Sequence, residues 1–183
     1  MKIDLTLPLN IEVVKKANGA ERKTLNGHIG THFDVMNKIF PLDYTERNGI
    51  VFDVSNIENR DIELSDIDID SVNENMFVGF CTKFIEKYEY GSDTYFHNHP
   101  QLSKELIIKL LEKKISIIGI DFAGVRGHIE HTVTDQLCAD NGVFVIENLV
   151  NLKELVNTKP VIHIYPMNYT DSSGLPCRVI ADI

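Results

Sequence analysis

The stretch Asn26-Gly-His-Ile-Gly-Thr-His-Phe-Asp-Val-Met-Asn-Lys-Ile-Phe40 places two imidazoles and a carboxylate within seven residues. Side chains alternate between the two faces of a strand, so an extended conformation puts His28, Gly30, His32 and Asp34 on one face. The glycines and their β-branched neighbours favour a strand or an extended loop over a helix. Since Zn, Mn and Fe all accept nitrogen and oxygen ligands, this face is a candidate divalent-metal site. The alternative is a set of hydrogen-bonded side chains without a metal.

The overall composition is that of a globular protein. A chain of 183 residues suits one domain, 1–183, with a substantial core. Hydrophobic residues make up 43% of the chain and charged residues 25%, which is ordinary for this class. The formal net charge of −9 argues against binding to nucleic acids or anionic membranes, because both require basic patches. We therefore expect a small-molecule partner.

Cysteine usage and the terminal segment indicate the compartment. The chain has three cysteines, Cys81, Cys138 and Cys177, without a CxxC spacing. An odd number without this spacing predicts reduced, buried thiols rather than a disulfide framework. The first residues lack the apolar core of a secretion signal, and no apolar run reaches membrane-spanning length. We expect a cytoplasmic protein.

Hydrophobic periodicity predicts one mixed α/β domain. The predicted helices are 102–113, with Ser103 as candidate N-cap, and 134–140, which Asn141-Gly142 ends. A short helical turn is predicted over 149–155. Besides 28–34, the predicted strands are 2–14 (with a turn), 50–54, 76–82, 115–120, 143–146, 161–166 and 179–183, and the predicted loops or turns are 17–23, 88–100, 122–130 and 172–178.

The stretch Ile62–Asp70 alternates isoleucines with acids. It lacks the glycine and the terminal glutamate of a calcium-binding EF-hand loop. Charge alternation of this kind marks an exposed face, so it predicts a solvated edge strand or a loop.

The segment His28-Ile-Gly-Thr-His32-Phe-Asp34 resembles the His-x-Gly-Thr-His-x-Asp signature of the cyclase family, which includes bacterial-type kynurenine formamidases and isatin hydrolases. The resemblance covers most of the chain. It implies a swivelling β/β/α fold of the α/β class with a mixed central sheet, and a homo-oligomer (dimer or tetramer) with active sites near subunit interfaces. Further segments resemble the family in order: Ile3-Asp4-Leu5, Pro100-x-Leu102-Ser103, Gly119-Ile120-Asp121, Phe144-Val-Ile-Glu147-Asn148-Leu149 and Gly174-Leu-Pro176-Cys-Arg178.

This resemblance implies a metal-dependent hydrolase of small amides or cyclic amides. The implied activity is arylformamidase-like, acts on C–N bonds other than peptide bonds, and is associated with tryptophan catabolism. The resemblance implies that His28, His32 and Asp34 are metal ligands and that Glu147 is a further ligand. The implied cofactor is a divalent metal, Zn or Mn above all, with Mg or Fe as alternatives.

Two positions depart from the family pattern. The family signature continues to a proline and a histidine, where this chain has Met36 and Lys38, and a family histidine twelve residues before Glu147 is Asp135 here. A lysine amine carries a proton and is a poor base, but the charge of Lys38 can stabilise an oxyanion. Asp135 is an oxygen ligand and favours harder ions such as Mn or Mg. The alternative is a structural salt bridge from Lys38 to Asp135 or Glu147.

The remaining histidines include candidates for the missing base. His128 and His131 lie just upstream of Asp135, and histidine titrates near neutral pH. His97 and His99 lie in a predicted loop and are candidates for capping a pocket. For all of these the alternative is a structural role.

Two rival functions stay open from the sequence. One is a catalytically altered family member that binds a small molecule, which an assay for turnover with added metal would separate from a hydrolase. The other is an Fe-dependent oxygenase in which His32, Asp34 and a distant histidine such as His163 form a facial triad. Iron-dependent oxygen consumption would identify it.

Overall fold

The computed structural model describes residues 1–10, Val14 and residues 26–183. The predicted loop 17–23 and most of the predicted first strand beyond residue 10 lie outside the described residues. Within the described range the first strand covers only Lys2–Asp4, shorter than predicted. After it, Thr6 adds a single bridge to Leu149.

In the described part of the chain, eight strands form one mixed sheet. Their order is β1-β8-β2-β6-β5-β4-β3-β7, and β7 also pairs with β8, so seven strands close into a barrel-like ring with β1 beside β8. Strands β3 to β6 include three parallel pairs, β3–β4, β4–β5 and β5–β6, and the other pairs are antiparallel. The strands are β1 (Lys2–Asp4), β2 (His32–Asp34), β3 (Glu46–Asp53), β4 (Phe77–Cys81), β5 (Ile117–Ile120), β6 (Phe144–Glu147), β7 (Val161–Pro166) and β8 (Gly174–Asp182).

The described helices are short. They are α1 (Phe84–Lys87), α2 (Asp93–His97), α3 (Lys104–Glu112) and α4 (His131–Asp140), with 3-10 turns at Leu42–Thr45, Leu64–Asp66, Ile69–Ser71, His128–Glu130 and Leu152–Leu155. Ser103 caps α3, since its hydroxyl accepts from the N–H of Leu106 at 3.2 Å, which confirms the predicted N-cap. None of the described helices combines the length and the apolar character needed to cross a bilayer.

The stretch from Ile62 to Asp70 forms two 3-10 turns rather than an edge strand. The carboxylate of Asp66 accepts from the N–H of Glu63 at 2.7 Å and pairs with Arg60. The carboxylate of Asp68 accepts from a backbone N–H two residues on, at 3.2 Å. Aspartates that bond to nearby backbone favour turns over strands, so the strand alternative is wrong and the loop alternative holds.

Alternation along the strands divides the core into two clusters. Phe33 and Phe77 belong to a cluster inside the ring. Ile118 belongs to a second cluster outside it, with Leu106 and Leu110 of α3 fully buried against the sheet. The predicted α/β class with a mixed central sheet is therefore confirmed. The closure of the sheet by β7 and β8 was not predicted.

The cysteines lie within these buried layers. Cys81, Cys138 and Cys177 are free and buried. Burial raises the pKa of both the Cys81 and the Cys138 thiol to about 12. Such thiols are inert near neutral pH.

A pair of glycines makes room for an aromatic ring inside the barrel. A Cβ on Gly119 would lie 2.2 Å from Cζ of Phe77 and 2.9 Å from Cδ1 of Leu149. Gly79 lies opposite Gly119 on β4, and a Cβ there would be 3.0 Å from the same ring. Only glycine fits at position 119 without a shift of its neighbours.

The substitution Gly119→Ala should therefore destabilise the fold by about 1–3 kcal/mol, because overpacking forces Phe77 or Leu149 to move. Urea unfolding followed by circular dichroism measures the change. Gly127→Ala is the control, since the nearest atom to a Cβ there, on Gln101, is 3.4 Å away. Equal unfolding midpoints for the two variants would contradict this account.

Candidate metal centre

The loop before β2 carries the first candidate ligand. Gly27 and Gly30 have φ values of 75° and 63°, a region that glycine adopts without strain. A Cβ on Gly27 would lie 2.0 Å from a backbone carbonyl oxygen at the start of β8. The strand predicted to include His28 is therefore shorter than expected, since only His32–Asp34 form β2. His28 reaches the site from the loop.

The register of β2 against β6 sets which side chains meet. His32 lies opposite Glu147, and Phe33 lies opposite Ile146. Phe33 and Ile146 belong to the cluster inside the barrel. Alternation therefore sends His32, Asp34 and Glu147 to the outer face.

Helix α4 covers this outer face with two further side chains. His131 is its first residue, and Asp135 follows one turn later, on the same side because residues four apart are neighbours on a helix. Nε2 of His131 lies 3.1 Å from Oδ2 of Asp135 and 3.4 Å from Oε1 of Glu147. The structure thus brings three predicted site residues together across α4 and β6.

The loop histidine and the strand histidine converge on one carboxylate. Nδ1 of His28 lies 2.9 Å from Oδ1 of Asp34, and Nε2 of His32 lies 3.7 Å from the same oxygen. Nε2 of His32 also lies 3.6 Å from Oε2 of Glu147. Glu147 therefore directs one oxygen towards His32 and the other towards His131.

Two groups of three side chains share the Asp34 carboxylate. Within each group, one ligand atom per residue lies within 4.8 Å of the others, and the described residues supply His28, His32 and Asp34 to the first and Asp34, His131 and Asp135 to the second. Nitrogen and carboxylate oxygen donors in this mixture suit Zn, Mn or Fe.

Several buried polar atoms of these groups have no hydrogen-bond partner among the described residues. They include Nε2 of His32, Oδ2 of Asp34 and Oδ1 of Asp135, and these residues are 2%, 1% and 2% exposed. A buried polar atom without a partner costs about 1–3 kcal/mol. A divalent cation would satisfy all three atoms. The residues therefore fit the metal that the resemblance implies.

The two aspartates have opposite pKa shifts. Burial opposes ionisation of Asp34, but its contact with His28 and the nearby imidazole of His32 outweigh burial and lower its pKa to about 2. Burial raises the pKa of Asp135 to about 6, against the hydrogen bond from His131. Burial also lowers the pKa of His32. Neutral imidazole and ionised carboxylate are the forms that bind a metal.

A cavity of about 430 Å³ opens onto this cluster. Its walls combine the rings of Tyr90 and Phe96 with the imidazoles of His97 and His128. His128 lies in the 3-10 turn that leads into α4, with a φ of 54°. The predicted residue His128 therefore borders the same space as the candidate ligands without belonging to either group.

Lys38 lies elsewhere. Its amino group lies 2.6 Å from Oδ1 of Asp140, and its side chain lines a separate cavity beside Tyr165. The salt bridge from Lys38 to Asp135 or Glu147 that the sequence offered is replaced by the one to Asp140. The structure does not bring Lys38 to the cavity of the histidines.

Two other histidines also lie apart from both groups. His163 is in β7, with Nδ1 3.5 Å from Oε2 of Glu46, so it does not join His32 and Asp34 as the facial triad would require. His99 is buried and stacks on Phe122 with ring centroids 5.7 Å apart.

Sequence reasoning missed three residues that support the loop of candidate ligands: Tyr90 and Asn148 bond to Gly30 directly, and Tyr95 bonds to Asn148. The N–H of Gly30 donates to the hydroxyl of Tyr90, and Nδ2 of Asn148 donates to the carbonyl of Gly30, both at 2.8 Å. Tyr95 donates to Oδ1 of Asn148 at 2.7 Å. The two tyrosines lie in a segment predicted as loop, and the one available signal was the amide of Asn148 directly after Glu147.

Comparison with known proteins places the chain in a family. A family model described as Putative cyclase matches residues 3–125, more than half of the chain. No curated protein sequence matches. The chain belongs to the cyclase family.

Solved structures share this fold. A potential metal-dependent hydrolase with cyclase activity has a TM-score of 0.75 and 20% identity, over 99% of this chain and 96% of that one. A predicted metal-dependent hydrolase from Bacillus stearothermophilus has a TM-score of 0.73 and 21% identity, over 99% and 97%. Isatin hydrolase A from Labrenzia aggregata, bound to benzyl benzoate, has a TM-score of 0.76 and 18% identity, over 99% and 93%. At these identities the similarity concerns the fold.

The buried carboxyl of Asp135 should destabilise the metal-free protein at neutral pH. A raised pKa means that the folded state holds the proton more tightly than the unfolded state, so stability falls as pH rises from 3.8 through about 6. One pKa unit corresponds to about 1.4 kcal/mol. The protein around the charged carboxyl can rearrange and so reduce this cost. We therefore expect metal-free Asp135→Asn to be about 1–2 kcal/mol more stable than the wild type near neutral pH.

Urea unfolding of chelator-treated protein at two pH values, one below and one above this window, tests the expectation. The stability difference between variant and wild type should grow with pH. Asp140→Asn is the control, because the hydrogen bond from Lys38 lowers the pKa of that exposed carboxyl, so its removal should not stabilise. A difference that is independent of pH would contradict the assignment.

Proposed function

We propose that this protein is a metal-dependent hydrolase of small amides or cyclic amides, acting on C–N bonds other than peptide bonds. The observation that carries the proposal is the convergence of imidazoles and carboxylates from three separate segments at the floor of one cavity. The names of the similar structures, which include metal-dependent hydrolases and an isatin hydrolase, support the same reaction class.

The residues that would hold a divalent ion are those of the two groups that share Asp34. Glu147 would add its carboxylate, since one of its oxygens faces His32 of the first group and the other faces His131 of the second. A divalent ion at these donors supplies Lewis-acid activation of a water molecule and of the scissile carbonyl. The mixed donor set suits Zn or Mn, with Mg or Fe as alternatives.

His131 takes over the place of the histidine that the resemblance implies at position 135. The two positions are one helical turn apart on the same side of α4, and both side chains reach the Asp34 carboxylate. We therefore assign His131 to the metal ligands rather than to proton transfer. Asp135 supplies the oxygen ligand beside it.

We assign to His128 the role of protonating the leaving amine. Its imidazole lines the cavity and belongs to neither group of ligands among the described residues. Histidine exchanges a proton near neutral pH, as a general acid for an amine leaving group must. Lys38 has no part in this assignment, because its amino group pairs with Asp140.

The cavity suits a flat, small substrate. Tyr90 and Phe96 offer aromatic faces, and a volume of about 430 Å³ falls within the range of small-molecule sites. Small aromatic formamides and cyclic amides are the first compounds to assay. Tryptophan catabolism, the homo-oligomeric state and the cytoplasmic location stay predictions from the resemblance and the sequence.

Metal binding tests the proposal directly. Chelator-treated protein should take up at least one equivalent of Zn or Mn, and His32→Ala should weaken binding by about 100-fold or more because a ligand is lost. Calorimetric titration and elemental mass spectrometry measure both. The control is His163→Ala, which also removes an imidazole beside a carboxylate, that of Glu46, outside both groups.

Uptake by the wild type and by His163→Ala, but not by His32→Ala, supports the hydrolase. No uptake by the wild type with either ion would overturn the proposal. Uptake without turnover of any formamide or cyclic amide would favour the small-molecule-binding alternative.

The role of His128 has a separate readout. His128→Gln should lower kcat by about 10²–10⁴-fold, the usual contribution of a general acid or base, while the metal content stays that of the wild type. His163→Gln serves as the control for a histidine substitution outside the cavity. An unchanged kcat in His128→Gln would remove this residue from the reaction.

A further inference from the structure

The peptide groups of Gly30, between the candidate ligands His28 and His32, are held from two sides. Its N–H donates to the hydroxyl of Tyr90 at 2.8 Å. Its carbonyl accepts from Nδ2 of Asn148 at 2.8 Å and faces Nδ1 of His32 at 2.8 Å. These contacts are buried, so water does not replace them at low cost.

The carbonyl of Gly30 decides how His32 presents its ring. A carbonyl only accepts, so Nδ1 of His32 carries the hydrogen and Nε2 presents a lone pair. Nε2 is the atom that lies 3.7 Å from Asp34 and 3.6 Å from Glu147. The position of one backbone carbonyl therefore sets both the tautomer and the direction of a candidate ligand.

The amide of Asn148 is itself fixed by other groups. Its Oδ1 accepts from the hydroxyl of Tyr95 at 2.7 Å, and its backbone carbonyl accepts from the hydroxyl of Thr31 at 2.8 Å. Its φ of 59° is a left-handed conformation that asparagine tolerates better than most residues. Tyr95 is fully buried and contacts the ring of Tyr90 edge to face, with centroids 5.4 Å apart.

We propose that Tyr95 and Asn148 are positioning residues of the metal centre. Tyr95 orients the Asn148 amide, the amide holds the carbonyl of Gly30, and that carbonyl directs Nε2 of His32 towards Asp34. The inference rests on the proposed function for the identity of the site, but it concerns two residues outside both groups of candidate ligands. A tyrosine that only filled the core would stabilise the fold without any effect on His32.

A double-mutant cycle on metal affinity separates these roles. Tyr95→Phe keeps the buried ring and removes the hydroxyl, and Asn148→Gly removes the amide while keeping the positive φ. We expect zinc affinity to fall about 10-fold in Tyr95→Phe and about 10–100-fold in Asn148→Gly, the range for groups that orient a ligand. The double variant should bind zinc no more weakly than Asn148→Gly, because Tyr95 acts through Asn148.

The matched control is Tyr44→Phe. The Tyr44 hydroxyl also donates to a backbone group, the carbonyl of Gly142 at 3.0 Å, and neither residue belongs to the candidate ligands or lines the cavity beside them. This variant should bind zinc as the wild type does. Zinc affinity unchanged in Tyr95→Phe, or losses that add fully in the double variant, would overturn the proposal.

Nitrogen-15 NMR of the metal-free protein gives a second readout. His32 should carry its hydrogen on Nδ1 in the wild type and should show a mixture of tautomers in Asn148→Gly. A wild-type hydrogen on Nε2 would overturn the positioning role even if a variant failed to fold. Failure of the proposed function looks different: the wild type would take up no zinc while its His32 tautomer still followed Asn148.

Discussion

The antiparallel pairing of β2 with β6 is the constraint on which the site depends. Because side chains alternate with period two, a slip of one residue would send every side chain of β2 to the other face. The register that buries Phe33 against Ile146 inside the barrel is the same register that places His32 opposite Glu147 outside it. Packing of the core and assembly of the candidate ligands are therefore enforced by one pattern, and neither can change without the other.

This arrangement conflicts with local stability. The outer face of β2 carries Asp34, and α4 lays Asp135 against it, so two carboxyls share a buried region. The pKa of Asp135 is raised as a result, because burial and the Asp34 charge both oppose its ionisation. The two apolar clusters on either side of the sheet hold the carboxyls in place. Sites that break the rules of stable packing in this way are where function is expected.

Local spacing allowed much of this to be predicted from the sequence. The shared face of His32 and Asp34 follows from strand geometry, and the Ser103 cap follows from the pattern of α3. Closure of the barrel by β7 and β8 was not predictable, because it depends on pairing between distant segments. The pairing of Lys38 with Asp140 was not predictable either, because tertiary packing sets the direction of the chain after β2.

Family spacing pointed to position 135 for a ligand, and only the helix geometry shows that position 131 reaches the same carboxylate. The support of the ligand loop by Asn148 likewise joins residues far apart in the chain. Asp34 is common to both groups of candidate ligands, so the most direct test of the account is manganese uptake by the isosteric variant Asp34→Asn. Electron paramagnetic resonance of free Mn²⁺ during titration of metal-free protein should show uptake by the wild type and none by the folded variant. Equal uptake by the two proteins would contradict the account.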